Sequence, residues 1–354
     1  MNRIRALLTK MEQSGADACL VTSRTNYRYF SGFSGSNAKL LITAAKRYLF
    51  TDFRYTIQAH GQAPDFEVIQ ETSGEEKRLI AGYLEKHRIR RILFEDTKVS
   101  FKEYGEMKEA FPGCRLIPMG SMLETLRMYK DEDEIKNMGL AAKKTDEAFL
   151  HILSLIKPGV CESDIAAEID YFFRKRASTQ SFEPIVASGP NSALCHAVPT
   201  LRKFQNGDMV VLDFGCEVSG YCSDMTRTVA IGKAPGQMRK IYDIVLSAQL
   251  AALEALSAGK TGAQVDAVAR NIISAAGYGS NFGHGLGHSV GLEIHEDPRL
   301  SPRYEEILET NMSITVEPGI YIEGLGGVRI EDLCIIKENG HVNLTGSDKK
   351  LLEI

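Results

Sequence analysis

Residues 209–231 read MVVLDFGCEVSGYCSDMTRTVAI, and this stretch decides the fold of the C-terminal part of the chain. Two apolar, strand-like runs flank Ser219-Gly220, a pair suited to a two-residue hairpin turn. Such a turn places Val218 opposite Tyr221 and Asp213 opposite Thr226. Asp224 becomes the diagonal neighbour of Asp213 on the same sheet face, at roughly 7–8 Å between Cα atoms. Gly215, opposite Asp224, leaves that face open. A second stretch, SITVEPGIYIEGLGGVRIEDLCII at 313–336, offers the same device. With EGLGG as a five-residue loop, Ile322 faces Val328, Glu317 faces Leu333, and Glu331 is the same-face diagonal partner of Glu317. Pro318 has no N–H for the ladder, so an irregularity is expected beside Glu317.

Four carboxylates on sheet faces surrounded by Val, Leu, Ile and Phe are poorly hydrated. Unpaired, each costs several kcal/mol or becomes protonated, and metal ions offset that cost. Carboxylates with one or two imidazoles suit Mn²⁺, Co²⁺ or Zn²⁺ better than Ca²⁺. Two such ions a few ångströms apart form an arrangement used for hydrolysis. The imidazoles are supplied by NFGHGLGHSVGLEIHE (281–296), where His284, His288 and His295 stand among four glycines. The glycines argue against a helix, so this is not the HExxH zinc motif. His196 follows the loop ASGPNSALC in the first half. One Asp in a strand, or one histidine, is ordinarily structural. Two same-face acid pairs with a glycine-lined histidine run are hard to explain that way. The glycine clusters fit neither GxxxxGKS nor a strand–GxGxxG–helix unit, and no serine sits in a nucleophile elbow.

Outward from the hairpins, residues 165–173 (IAAEIDYFF) resemble 265–273 (VDAVARNII). Each segment follows a long helix and a glycine-containing turn, so the region reads as two similar αα-ββ halves. The first long helix opens at Asp131, three residues before Glu134 in capping-box spacing, and should end near Lys157-Pro158-Gly159. Before it, ADACLVTS, KLLITAAKRYLFTD and RRILFED read as strands, with amphipathic helices over 75–88 and 101–111. The expectation is α+β: a small α/β domain over 1–125 and a second, pseudo-symmetric domain over 126–354.

A length of 354 residues suits two domains. The net charge of -4 gives no footprint for nucleic acid, and no polybasic stretch favours a membrane surface. The N-terminal Ile4, Leu7, Leu8 and Met11 recur at helical spacing among charges, unlike a secretory signal. Seven scattered cysteines without a CxxC pair read as reduced thiols, and the expected location is cytoplasmic.

VVLDFG, SDMTRT, GHGLGHSVGLEIHE, VEPGIY and GVRIED, in this order and spacing, resemble the prolidase/aminopeptidase P family of "pita-bread" metallopeptidases over essentially the whole chain. The resemblance implies a creatinase-like N-terminal domain, a pita-bread catalytic domain and a dinuclear site. Asp213 would hold one metal, Asp224 and Glu331 would bridge both, and His288 and Glu317 would complete the other. Mn²⁺ is the expected ion, with Co²⁺ and Zn²⁺ as alternatives. It further implies catalytic or substrate-facing roles for His196 and His295, proton management by Glu317 or a histidine, and a wall of the proline-side pocket at His284. Arg329 would stand near substrate or orient the acidic ligands, and Arg299 in HEDPR would meet a substrate's C-terminal carboxylate. That favours an Xaa-Pro dipeptidase; the alternatives are an Xaa-Pro aminopeptidase and an inactive peptide-binding relative. A homodimer is implied, with Tyr29 and Arg54 of one subunit as candidates to line the other's site.

Overall fold

The computed structural model describes residues 3–72 and 74–354. The chain divides into two compact units, Met1–Arg127 and Met128–Ile354. The expected division at 125/126 falls inside the helix Met122–Met128, which carries the chain from one unit to the next.

The first unit is a six-stranded sheet. Its order is Glu67–Glu71, Arg47–Asp52, Lys39–Thr43, Ala18–Val21, Arg91–Phe94, Arg115–Pro118. KLLITAAKRYLFTD, expected as one strand, is a hairpin. Thr43 and Lys46 close a tight turn between antiparallel runs, with Thr43 N donating to Lys46 O at 2.9 Å. Glu76–Lys86 and Phe101–Ala110 are the two expected helices. The helices Arg24–Ser31 and Thr56–Gln62 have no comparable apolar stripe in sequence and were not expected. Tyr29 is buried, with its hydroxyl donating to Leu126 O at 3.1 Å, so it is not presented to a second subunit as expected. Arg54 is exposed and forks onto Asp52.

The second unit repeats a long helix followed by a shorter one: Glu132–Leu153 with Glu162–Arg174, then Gly236–Ala255 with Gly262–Ala275. Asp131 and Glu134 form the expected capping box, at 3.0 and 2.9 Å. The first helix stops at Leu153, earlier than expected, because residues 154–156 turn inward to bury Ile156. Each helix pair covers apolar strands. Phe149 and Phe173 pack with Val210, Leu212 and Phe214, and Ile241, Val245 and Val265 pack with Ile314, Val316 and Ile336.

The hairpins differ in how their register is set. In the first, Val218 faces Tyr221 and Asp213 faces Thr226, as the Ser219-Gly220 turn predicts. Both turn residues have positive φ, 50° and 87°, the requirement of a type I′ turn. In the second, Ile322 pairs with Gly326 and Thr315 with Leu333, so the loop is three residues and the register lies two residues from the expected one. Continuing that register, Glu317 lies directly opposite Glu331 and not diagonal to it. A two-residue shift leaves every side chain on its original face. The ladder breaks between Val316 and Gly319, around Pro318. There Glu317 N turns away to Leu286 O, and Glu331 N bonds Thr226 O of the first hairpin. Thr228 and Arg329 add a second crossing bond, Oγ1 to O at 2.8 Å. The two acid-bearing strand segments are thereby joined edge to edge.

Candidate metal centre

The four acids and His288 converge. Single ligand atoms of Asp224, His288 and Glu331 lie within 4.8 Å of one another. His288 Nε2 is 3.6 Å from Asp224 Oδ2 and 3.4 Å from Glu317 Oε1. All five side chains line a cavity of about 430 Å³. His196, His284, His295, Arg299 and Arg329 line the same cavity, so it gathers the ten site residues expected from the C-terminal domain, and neither Tyr29 nor Arg54. Gly287 is a glycine because a Cβ there would stand 2.0 Å from Thr315 O. That approach lets His288 N donate to Thr315 Oγ1 at 3.0 Å and aims the imidazole inward. At Gly215 the reason is different from the expected open face. A Cβ would lie 1.8 Å from Ser223 O, so the absent side chain is filled by the neighbouring strand.

The electrostatics are those of a cation site. Asp213 Oδ1, Asp224 Oδ1 and Glu331 Oε1 are buried without a hydrogen-bond partner. Burial, then Asp213 and Glu317, push the Asp224 carboxyl well above its usual range; burial, then Asp224 and Glu317, do the same to Glu331. Burial lifts Glu317 to about 8, with Arg329 opposing and Asp213 reinforcing the rise. His288 Nδ1 faces Ser289 O at 3.1 Å, so Nδ1 carries the proton and the Nε2 lone pair faces two carboxylate oxygens. Burial holds that ring neutral, with its pKa lowered to about 3. A lone pair against carboxylates is repulsive until a cation stands between them. The donor set therefore fits divalent metal.

Arg329 is almost completely buried. Its Nη2 donates to Asp213 Oδ2 at 2.5 Å, its Nη1 to Tyr321 Oη at 2.7 Å and its Nε to Thr226 Oγ1 at 3.0 Å. Those donors are committed, so of the two roles expected for it the geometry favours holding the acids over touching substrate. Tyr321 also meets His284 Nε2 at 3.1 Å, while His284 Nδ1 meets Gly285 O at 2.7 Å. Both ring nitrogens are occupied, and burial lowers the His284 pKa to about 4, so this ring is a neutral wall. His196 and His295 stand exposed at the mouth, and the His295 ring lies edge-on to His288 at 4.5 Å. Arg299, paired with His288 across the short ladder, is only loosely held by Asp297 at 3.4 Å.

Sequence reasoning missed Tyr321, Thr226 and Thr315, and the apolar walls Phe182, Ile185 and Ile294. Thr226, facing Asp213 in the expected register, was within reach: its hydroxyl donates to Glu331 Oε2 at 2.7 Å. Nothing local marks Phe182 or Ile185.

Residues 136–338 match the model of Metallopeptidase family M24, and residues 3–129 match the Creatinase/Prolidase N-terminal domain. The chain belongs to metallopeptidase family M24. M24 enzymes depend on a dinuclear metal centre, and the second unit here is their pita-bread domain. The chain is 41% identical to an Xaa-Pro dipeptidase from Bacillus anthracis, with a TM-score of 0.96 and 99% of each chain covered. It is 38% identical to an X-Pro aminopeptidase from Thermotoga maritima, with a TM-score of 0.93, 98% of this chain and 100% of that one. It is also 35% identical to the Xaa-Pro dipeptidase of Pyrococcus furiosus over 99% of both. Among the described residues, no helix of this M24 protein is long and apolar enough to cross a membrane.

Proposed function

We propose that the protein hydrolyses the Xaa-Pro bond of dipeptides, with Asp213, Asp224, His288, Glu317 and Glu331 holding two Mn²⁺ ions. Co²⁺ and Zn²⁺ are the alternative ions for this donor set. Ions held there would supply an activated water and polarisation of the scissile carbonyl, chemistry suited to an amide that lacks an N–H. The chain's own groups supply the rest. Glu317, beside the proposed ions and lining the cavity, passes the proton between the attacking water and the leaving amine. His196 and His295 at the mouth donate to the substrate carbonyl and to charge developing on it. The neutral His284 with Phe182, Ile185 and Ile294 gives the substrate's ring an apolar seat. Arg329 holds Asp213 and acts through it.

The observation supporting the dipeptide reading is Arg299, a loosely partnered guanidinium on the cavity wall, a group whose chemistry suits a C-terminal carboxylate. The similarity to an X-Pro aminopeptidase favours the second reading, that longer peptides are substrates. Turnover of Ala-Pro against Ala-Pro-Ala in the Mn²⁺ enzyme tests both. The dipeptide reading expects Ala-Pro to be preferred and Arg299→Met to raise KM for Ala-Pro alone, by about 10-fold. Preference for the tripeptide, untouched by Arg299→Met, selects the aminopeptidase. No turnover of either with any divalent metal removes the peptidase reading. Seven free cysteines support a reducing, cytoplasmic location. The exposed Leu194, Val198 and Leu201 beside His196 support a homodimer, read by sedimentation.

A further inference from the structure

Two buried acids outside the metal-ligand set bind the chain segments that carry site histidines. Asp266, on the helix Gly262–Ala275, is 1% exposed. It accepts Leu286 N at 3.0 Å and both forks of Arg270, at 2.7 and 2.8 Å. Arg270 passes the tether on: it donates to Phe282 O at 2.9 Å and to His284 O at 2.8 Å. Its guanidinium also lies 4.2 Å over the Phe282 ring, which meets His284 edge-on at 5.0 Å. Leu286 O in turn accepts Glu317 N at 2.8 Å. The glycine-rich run 283–287 has little stiffness of its own, and this pair grips it before, at and after His284.

The first half has a counterpart. Glu162, on the helix Glu162–Arg174, is fully buried. One carboxylate oxygen accepts Ser188 N and Ser188 Oγ, each at 2.7 Å, and Asn191 Nδ2 at 3.2 Å. The other accepts Thr200 N at 3.0 Å and Thr200 Oγ1 at 2.6 Å. One side chain thus gathers both ends of the loop 188–200, whose crest carries Cys195 and His196. A charge this deep is stabilised only by the bonds it makes, and here they go to the loop.

We infer that Glu162 and the Asp266–Arg270 pair are positioning residues, one tether in each half, that hold His196 and His284 where substrate meets the metal centre. This rests on the peptidase reading above, and its test separates the two. Glu162→Gln, Asp266→Asn, Arg270→Met and Arg270→Lys are prepared as full-length Mn²⁺ proteins. Hydrogen–deuterium exchange is followed in 188–200, in 282–288 and in the control strand 209–214, and kcat and KM on Ala-Pro are taken per folded molecule. Glu162→Gln should speed exchange about 10-fold in 188–200 alone, and Asp266→Asn or Arg270→Met in 282–288 alone. Each should lower kcat/KM about 10- to 100-fold, with partial recovery in Arg270→Lys. Unchanged exchange, or acceleration spread equally into 209–214, overturns the tethers. So does unchanged kcat/KM in an active enzyme. A wild type inert toward every Xaa-Pro peptide, but with segment-specific exchange, overturns the peptidase reading and leaves the tethers standing.

Discussion

The two halves of the catalytic domain share one plan and reach the site differently. The first hairpin delivers Asp213 and Asp224 from regular strands closed by a two-residue turn, and its register follows from Ser219-Gly220. The second delivers Glu317 and Glu331 from a ladder that Pro318 interrupts, and its loop is shorter than EGLGG suggests. Where a turn needs positive φ at two adjacent residues, local chemistry sets the register. Where several glycines allow more than one loop, the register is set by what the strands meet afterwards. Here Glu331 N meets Thr226 O, and Glu317 N meets Leu286 O. Same-face placement survived because the register moved by an even number of residues.

The largest expected effect tests whether the halves act as one centre. Asp224→Asn, from the first half, and Glu331→Gln, from the second, should each abolish Ala-Pro turnover by about 10³-fold or more. Their effects should be far from additive in the double variant if, as proposed, both acids serve the same ions. Loss confined to one of the two would separate the halves.

Arg329 of the second hairpin grips Asp213 of the first. Arg329→Lys keeps the charge but cannot reach Asp213, Tyr321 and Thr226 together, and should cost about 10- to 100-fold in activity or metal affinity, measured by Mn²⁺ titration.

Metal removal gives a pH signature. Burial raises the Asp224, Glu331 and Glu317 carboxyls, Glu317 from 4.5 to about 8. A raised folded-state pKa contributes stability at low pH that is lost as pH climbs through that value. The buried neutral His284 and His288 act in the opposite sense, only below their ordinary value of 6.5. Between about pH 6.5 and 8.5 the carboxyl contribution therefore stands alone. The melting temperature of chelated protein should fall over that interval, while the Mn²⁺ form stays level. A flat chelated curve would mean that the acids are apart without metal.

The smallest effect sharpens the view of the first turn. Ser219 is exposed and holds φ of 50°, a conformation that asparagine tolerates better. Ser219→Asn should stabilise the protein by up to about 1 kcal/mol in urea melts, with turnover unchanged. Destabilisation would show that the hairpin register is held by its flanks.

Much was legible because it is written in local periodicity and spacing. The capping box at Asp131, the repeated helix pair, the facing of Asp213 and Thr226, and the grouping of acids with histidines all follow from patterns a few residues long. The hairpin at Thr43–Lys46 was not, because KLLITAAKRYLFTD has no glycine or proline to mark its turn. Nor were the roles of Tyr321 and Glu162, whose partners lie across the fold.

The sequence by itself determined which side chains are acids and imidazoles, on which sheet faces they fall, and that burying them together calls for cations. Only the tertiary structure decided that Glu317 opposes Glu331, that Arg329 spends its donors on Asp213, Tyr321 and Thr226, and that Asp266 and Glu162 fasten the histidine segments. The physical reason is range. Face and turn type are local properties of the backbone, whereas the partner of a buried charge is whichever group the packing of distant segments brings within about 3 Å.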